Sequence, residues 1–321
     1  MFTIPKNYSA TESINWKKDT PCFRINLPLF NNNTIRYDDV FQGDVGSCWF
    51  LSALISYLRP ENKNLDVRTK DLMKSIVLHR EDGRAEGSLG MVPSIPSPAP
   101  RSIYKIRLDS KDVYVDDYIP SNYHSNVKKL KCMWFILFEK AMLSIMTMDA
   151  GTGRTTGDVV RSGNSIWVKN IIISSGEMKA ATIGIGYVVG CRTKYYSLHK
   201  KDASPRLPFI NSLTIYNKFK QGNHILANTH KMSYPGTKFP RRESITEAGG
   251  VPTHCYAIIN IEYDQSKKTY LLTMVNPWGC KELGEFPNKY IYPPGVNSGK
   301  GVSIITWERF NHLFACVHVS E

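Results

Sequence analysis

A chain of 321 residues exceeds the usual reach of one hydrophobic core, so two lobes or domains are expected. With 42% hydrophobic and 21% charged residues the composition excludes extended disorder, and the absence of any run of about 18 to 20 apolar residues excludes a helical membrane span. The formal charge of +13 is scattered, densest at Lys128, Lys129 and Lys131, at Lys200 and Lys201, and at Arg241 and Arg242. Without interleaved aromatics it reads as solvated surface, which argues against specific nucleic-acid binding and leaves peripheral contact with an acidic membrane open.

The opening residues hold no apolar stretch of signal-peptide length, and a cytoplasmic location is expected. Seven cysteines (Cys22, Cys48, Cys132, Cys191, Cys255, Cys280, Cys316) are widely spaced, with no C-x-x-C pair. That pattern argues against a disulfide framework and against a structural zinc site.

In chain order, the first forty residues carry little periodicity beyond a run near Ile25 to Phe30 and read as an extended arm. Residues 48–58 are apolar nearly all round, which predicts a helix buried on most sides, stopped at Arg59-Pro60. A second helix is predicted over 68–79, a proline-serine loop over 87–100, a β-hairpin over 102–120 turning at 109–112, and a long apolar helix over 132–146. Beyond a glycine-rich stretch at 152–165 the pattern turns to short strands at 183–189, 212–216, 255–263, 270–275 and 304–307, with a poorly patterned region at 192–250. The fold class is therefore α+β, with a helix-rich lobe over 1–170 and a β-rich lobe over 171–321.

Cys48 opens the first predicted helix, where unpaired N–H groups and the helix dipole favour a thiolate, the form of cysteine that acts as nucleophile. Gly43 and Gly46 let the preceding chain bend and bring N–H groups toward a bound carbonyl. Gln42 can donate its amide to an oxyanion, with the Cys48 N–H as second donor. Among eight histidines, His254 stands at the entrance to a predicted strand, where a rigid sheet can fix it. Asn276 ends another strand and can orient an imidazole, and Trp278 can cover that contact against water. Cys255 reads as an inert strand residue, and Asp116 with Asp117 as a hairpin-surface or structural pair rather than a carboxylate dyad.

Q-G-D-V-G-S-C-W-F-L-S-A (42–53) resembles the calpain segment Q-G-x-x-G-D-C-W-x-x-A-A, T-H-C-Y-A (253–257) resembles its G-H-A-Y, and N-P-W-G (276–279) matches its third catalytic segment. V-Y-V-D-D-Y-I-P (113–120), M-W-F-I-L-F-E-K-A (133–141) and S-I-I-T-W-E-R-F (303–310) are similar to flanking calpain motifs in the same order. The resemblance implies a papain-like two-lobed cysteine endopeptidase with protein substrates, its cleft lying between the lobes and no cofactor needed for the chemistry. Carried over residue by residue, it implies Cys48 as nucleophile, His254 as acid and base, Asn276 as orienter and Gln42 as oxyanion donor.

Ser47 departs from the family's aspartate and Thr253 from its glycine before histidine, which bears on substrate fit more than on chemistry. Conventional calpains bind calcium in each lobe. Here Asp39 and Glu139 fall where they would serve the first site and Glu282 the second, but Lys300 and Val302 replace expected acidic residues, and a lysine is incompatible with a cation site. Two other readings use the same residues: a thiol acyltransferase of transglutaminase type, and a catalytically silent calpain-like module that binds protein, nucleic acid or acidic membrane through its charge.

Overall fold

The computed structural model describes residues 8–9, 22–42, 47–61, 63–81, 102–108, 110–120, 130–149, 180–229, 254–278 and 301–321. In chain order the described elements are strands β1 (Tyr8–Ser9) and β2 (Cys22–Arg24), helices α1 (Cys48–Tyr57) and α2 (Leu65–Lys74), and strands β3 (Ile76–Glu81), β4 (Ser102–Leu108), β5 (Lys111–Asp116) and β6 (Tyr118–Pro120). There follow helices α3 (Trp134–Asp149) and α4 (Ala180–Val189), strand β7 (Thr193–Ser197), helix α5 (Ser212–Lys220), strands β8 (Ile225–Thr229), β9 (Cys255–Asp264), β10 (Thr269–Val275) and β11 (Val302–Thr306), helix α6 (Trp307–Leu313) and strand β12 (Phe314–Ser320). The chain is mixed helix and sheet, as its composition and periodicity predict.

Two compact units emerge, Met1–Ser47 with Asp66–Glu177, and Cys48–Leu65 with Met178–Glu321. The second takes in α1, which lies well before the boundary near residue 170 read from the sequence, because α1 packs on α4, β8 and β9.

In the first unit, β1, β5, β4 and β3 form a sheet in that order, with β1 parallel to β5 and the other pairs antiparallel. The predicted hairpin is present, with Ile103 paired to Asp116 and Leu108 to Lys111, and Ser110 takes a positive φ of 59° in the turn. Helix α3 covers β4 and β5, burying Trp134, Phe135 and Phe138 with Ile106, Val113 and Val115. Each large apolar side chain so buried contributes about 1.5–3 kcal/mol of transfer free energy. The predicted helix over 68–79 stops at Lys74. From Ile76 the chain becomes β3, because Ile76 and Val77 are β-branched and pair with Ile106 and Lys105 across the ladder.

Asp116 and Asp117 are a structural pair. The buried ammonium of Lys140 donates to the Asp116 carboxylate and to the carbonyl of Tyr118. Asp117 accepts from Arg24 Nε at 2.6 Å and from the Ser102 N–H at 3.2 Å. Burial raises the Asp117 pKa, and the Arg24 bond opposes that rise.

The second unit is built on a six-stranded antiparallel sheet in the order β11-β10-β9-β8-β12-β7. Its core gathers Ile215 and Phe219 of α5 and Phe310 and Leu313 of α6 against alternate strand residues, among them Ile225, Ala227, Tyr256, Ile258, Val317 and Val319. The intervening residues on the same strands include Cys255 and His318, which meet α1 and α4. Two strands read from the sequence prove helical. Residues 212–216 open α5, where Asn211 caps the helix by accepting from the Thr214 N–H, and residues 183–189 lie within α4. Residues 304–307 are strand only to Thr306, whose hydroxyl then caps α6.

Candidate active site

Helix α1 begins at Cys48, and every residue from Cys48 to Ser56 is buried. That fits a sequence apolar on all faces except for Ser52 and Ser56, one and two turns beyond Cys48 on the same side. These two serines meet the sheet. The Ser52 hydroxyl donates to the Cys255 carbonyl at 2.9 Å, and His224 Nδ1 donates to the Ser56 carbonyl at 3.0 Å. Beyond the helix end, Arg59 donates to the Asn223 carbonyl at 2.6 Å, with its guanidinium 4.4 Å over the Phe219 ring. The turn bearing Cys48 is thereby registered against the first residue of β9.

His254 immediately precedes that residue. Its backbone is clamped to the end of β8: the His254 N–H donates to Thr229 Oγ1 at 2.9 Å and the Thr229 N–H donates to the His254 carbonyl at 3.0 Å. The ring is fully buried, with Tyr256 edge-on at 5.0 Å and Trp278 tilted at 4.6 Å between centroids. Its Nε2 lies 2.9 Å from Asn276 Oδ1.

The same Oδ1 accepts the Trp278 N–H at 3.0 Å. A main-chain N–H can only donate, so the oxygen of the amide faces this point and His254 Nε2 carries the proton. The remaining nitrogen, Nδ1, is then the basic one, and it finds no hydrogen-bond partner among the described residues, the Cys48 sulfur included. Burial lowers the His254 pKa to about 4, with the Asn276 bond acting the other way, so the ring is a neutral base at neutral pH.

Burial pushes the Cys255 thiol well above the ordinary range, with smaller contributions from Cys48 and Cys316. Cys48, Cys132, Cys191, Cys255 and Cys316 are all thiols. Gln42 is buried in the first unit. Gly46, Thr253, Glu282 and Lys300 fall outside the described residues.

Asp39 and Glu139, the calcium ligands expected in the first unit, are engaged in local hydrogen bonds. Asp39 accepts from Asn31 Nδ2 at 3.2 Å, from the Arg36 N–H at 2.9 Å and from Trp134 Nε1 at 3.4 Å, so its carboxylate serves the local fold. Glu139 is fully buried, accepts the Ser47 hydroxyl, and has its pKa raised to about 8 by burial. Calcium takes six to eight oxygens, several of them ionised. No group of three or more His, Cys, Asp or Glu suited to a metal occurs among the described residues. No described helix is long and apolar enough to cross a membrane.

Sequence reasoning missed Ser52 and Thr229. The first was legible as one of two polar residues at turn spacing in an otherwise apolar helix. The second had no signal, because it depends on strand pairing across a long separation.

Residues 1–151 match the family model of the calpain family cysteine proteases. That match supports a calpain-type cysteine protease core. The matched segment includes Cys48 and the flanking motifs at 113–120 and 133–141 and ends before His254 and Asn276. The calpain-type assignment thus stands on the first half of the chain, and the His254–Asn276 geometry stands beside it on the second unit's own hydrogen bonds.

Proposed function

We propose that the chain is a cytoplasmic, calpain-like cysteine endopeptidase that hydrolyses peptide bonds of protein substrates in the cleft of a papain-like two-lobed core. The observation that carries this reading is the His254 ring, its Nε2–H held by Asn276 Oδ1 at 2.9 Å and its Nδ1 a base without a hydrogen-bond partner among the described residues. The calpain-type match over the segment containing Cys48 supports it.

In the proposed sequence, Nδ1 takes the Cys48 proton as substrate closes the gap between them, a tightening common on going from the free to the bound enzyme. The thiolate, favoured at the start of α1, attacks the peptide carbonyl. Gln42 and the Cys48 N–H donate to the oxyanion, and Gly46 allows the chain before the nucleophile to approach it. The Nδ1 proton then passes to the leaving amine as the C–N bond breaks, giving a thioester. Water, losing a proton to Nδ1, attacks the thioester; the carboxylate leaves and the thiol is restored. The chemistry runs on these side chains, and calcium has no step in it.

Cys48→Ala should abolish cleavage of a denatured protein substrate and labelling by a thiol-directed epoxide. Cleavage at the unchanged rate by the variant contradicts the proposal.

A further inference from the structure

The first turn of α1 meets α4 at Gly184. An ideally placed Cβ at Gly184 would stand 2.7 Å from the main-chain oxygen of Trp49 and 3.1 Å from Trp49 Cε3. Cβ atoms essentially never come within 3.0 Å of another heavy atom, and a helix carbonyl cannot swing aside as a side-chain tip can. The two helices therefore approach more closely than any side chain at 184 permits.

The carbonyl concerned belongs to the residue next to Cys48. Helix α4 is itself anchored: Thr182 Oγ1 lies 3.0 Å from His318 Nδ1 on β12, and the Thr193 hydroxyl of β7 donates to the Thr182 carbonyl at 3.5 Å. Farther along α1, Ser52 and Ser56, and just beyond its end Arg59, are bonded to the β8 and β9 region. Pressure at 184 consequently falls on the first turn. Gly186, two residues on, differs in kind, because a Cβ there meets nothing within 4 Å.

We infer that Gly184 is a positioning residue for Cys48: its missing side chain lets α4 set the height of the first turn of α1, and with it the sulfur, relative to His254. The inference rests on the role proposed for Cys48. A shift of even about 1 Å in a reacting group costs on the order of a hundredfold in rate.

The test compares wild type, Gly184→Ala, Gly186→Ala and Thr182→Val by the rate at which a peptidyl epoxide that fills the substrate site alkylates Cys48, read by peptide mass spectrometry across neutral pH. Gly184→Ala is expected to slow labelling at neutral pH by about tenfold or more and to move its apparent pKa upward, while Gly186→Ala follows wild type. Thr182→Val, which loosens α4 from β12 without adding bulk, is expected to shift labelling in the same direction by less. It decides the matter if Gly184→Ala lacks a cooperative melt. Wild-type labelling of both Gly184→Ala and Thr182→Val, or equal slowing by Gly186→Ala, overturns the inference. A wild-type chain that is labelled at Cys48 yet cleaves no peptide would end the peptidase reading and leave this comparison intact.

Discussion

Asn276 Oδ1 accepts from both His254 Nε2 and the Trp278 N–H, and this double use fixes the tautomer of the imidazole. Removing the amide frees the ring to rotate and lets either nitrogen carry the proton, while the substrate surface is untouched. Asn276→Ala is accordingly expected to lower kcat by about a hundredfold with KM nearly unchanged, in line with the usual contribution of a positioned general base; steady-state kinetics on a fluorogenic peptide check this. His254 also sets an acid limit. Its folded pKa of about 4 lies below the ordinary value of 6.5, so between these the unfolded chain binds a proton that the folded one refuses. Stability on its account is fully present above 6.5 and is lost as pH falls toward 4. His318, buried beside Thr182, Cys316 and Tyr195 with its pKa lowered to about 3, adds a loss of the same sign extending lower. Thermal midpoints measured down this pH range should fall, and His318→Gln should fall less steeply than wild type.

Helix α1 is an apolar rod located by a few polar contacts, so its interior serines matter more than their size suggests. Ser52→Ala removes a buried bond to the Cys255 carbonyl and is expected to cost about 1 kcal/mol in denaturant unfolding. Lys140→Met on α3 has a larger expected cost, about 3–5 kcal/mol, because it leaves the buried Asp116 carboxylate without its cation. The same elements show what could be read in advance. Helices α1 and α3 and the β4–β5 hairpin were legible because their apolar patterns are long or strictly alternating. Helix α4 was not, since I-G-I-G-Y-V-V is short, apolar and rich in glycine, and it packs on α1, β7 and β12. The start of α5 carried a usable signal in Asn211, whose side chain caps the helix, and the strand reading passed over it. Cys48, His254 and Asn276 could be singled out because the proposed nucleophile, base and orienter stand in ordered motifs. The hydrogen bonds that engage Asp39 and Glu139 could not, because they depend on which neighbours each carboxyl finds.

At the scale of the whole molecule, the calpain-type match covers residues 1–151, while the His254–Asn276 pair belongs to the second unit, which also holds α1 and Cys48. Calpain family members are commonly calcium-regulated, but with Asp39 and Glu139 engaged in the fold and Lys300 replacing an acid, peptidase activity and thermal midpoint are expected to be the same in calcium and in chelator; a calcium-dependent rise in either restores the ion. The central claim is that His254 activates Cys48, and the pH profile of Cys48 alkylation tests it most directly. With a peptidyl epoxide that fills the substrate site as the alkylating agent, wild type should react as a thiolate well below the ordinary cysteine pKa of about 8.5, and His254→Ala should move the profile up to that value. Superimposable profiles for the two proteins would contradict the account.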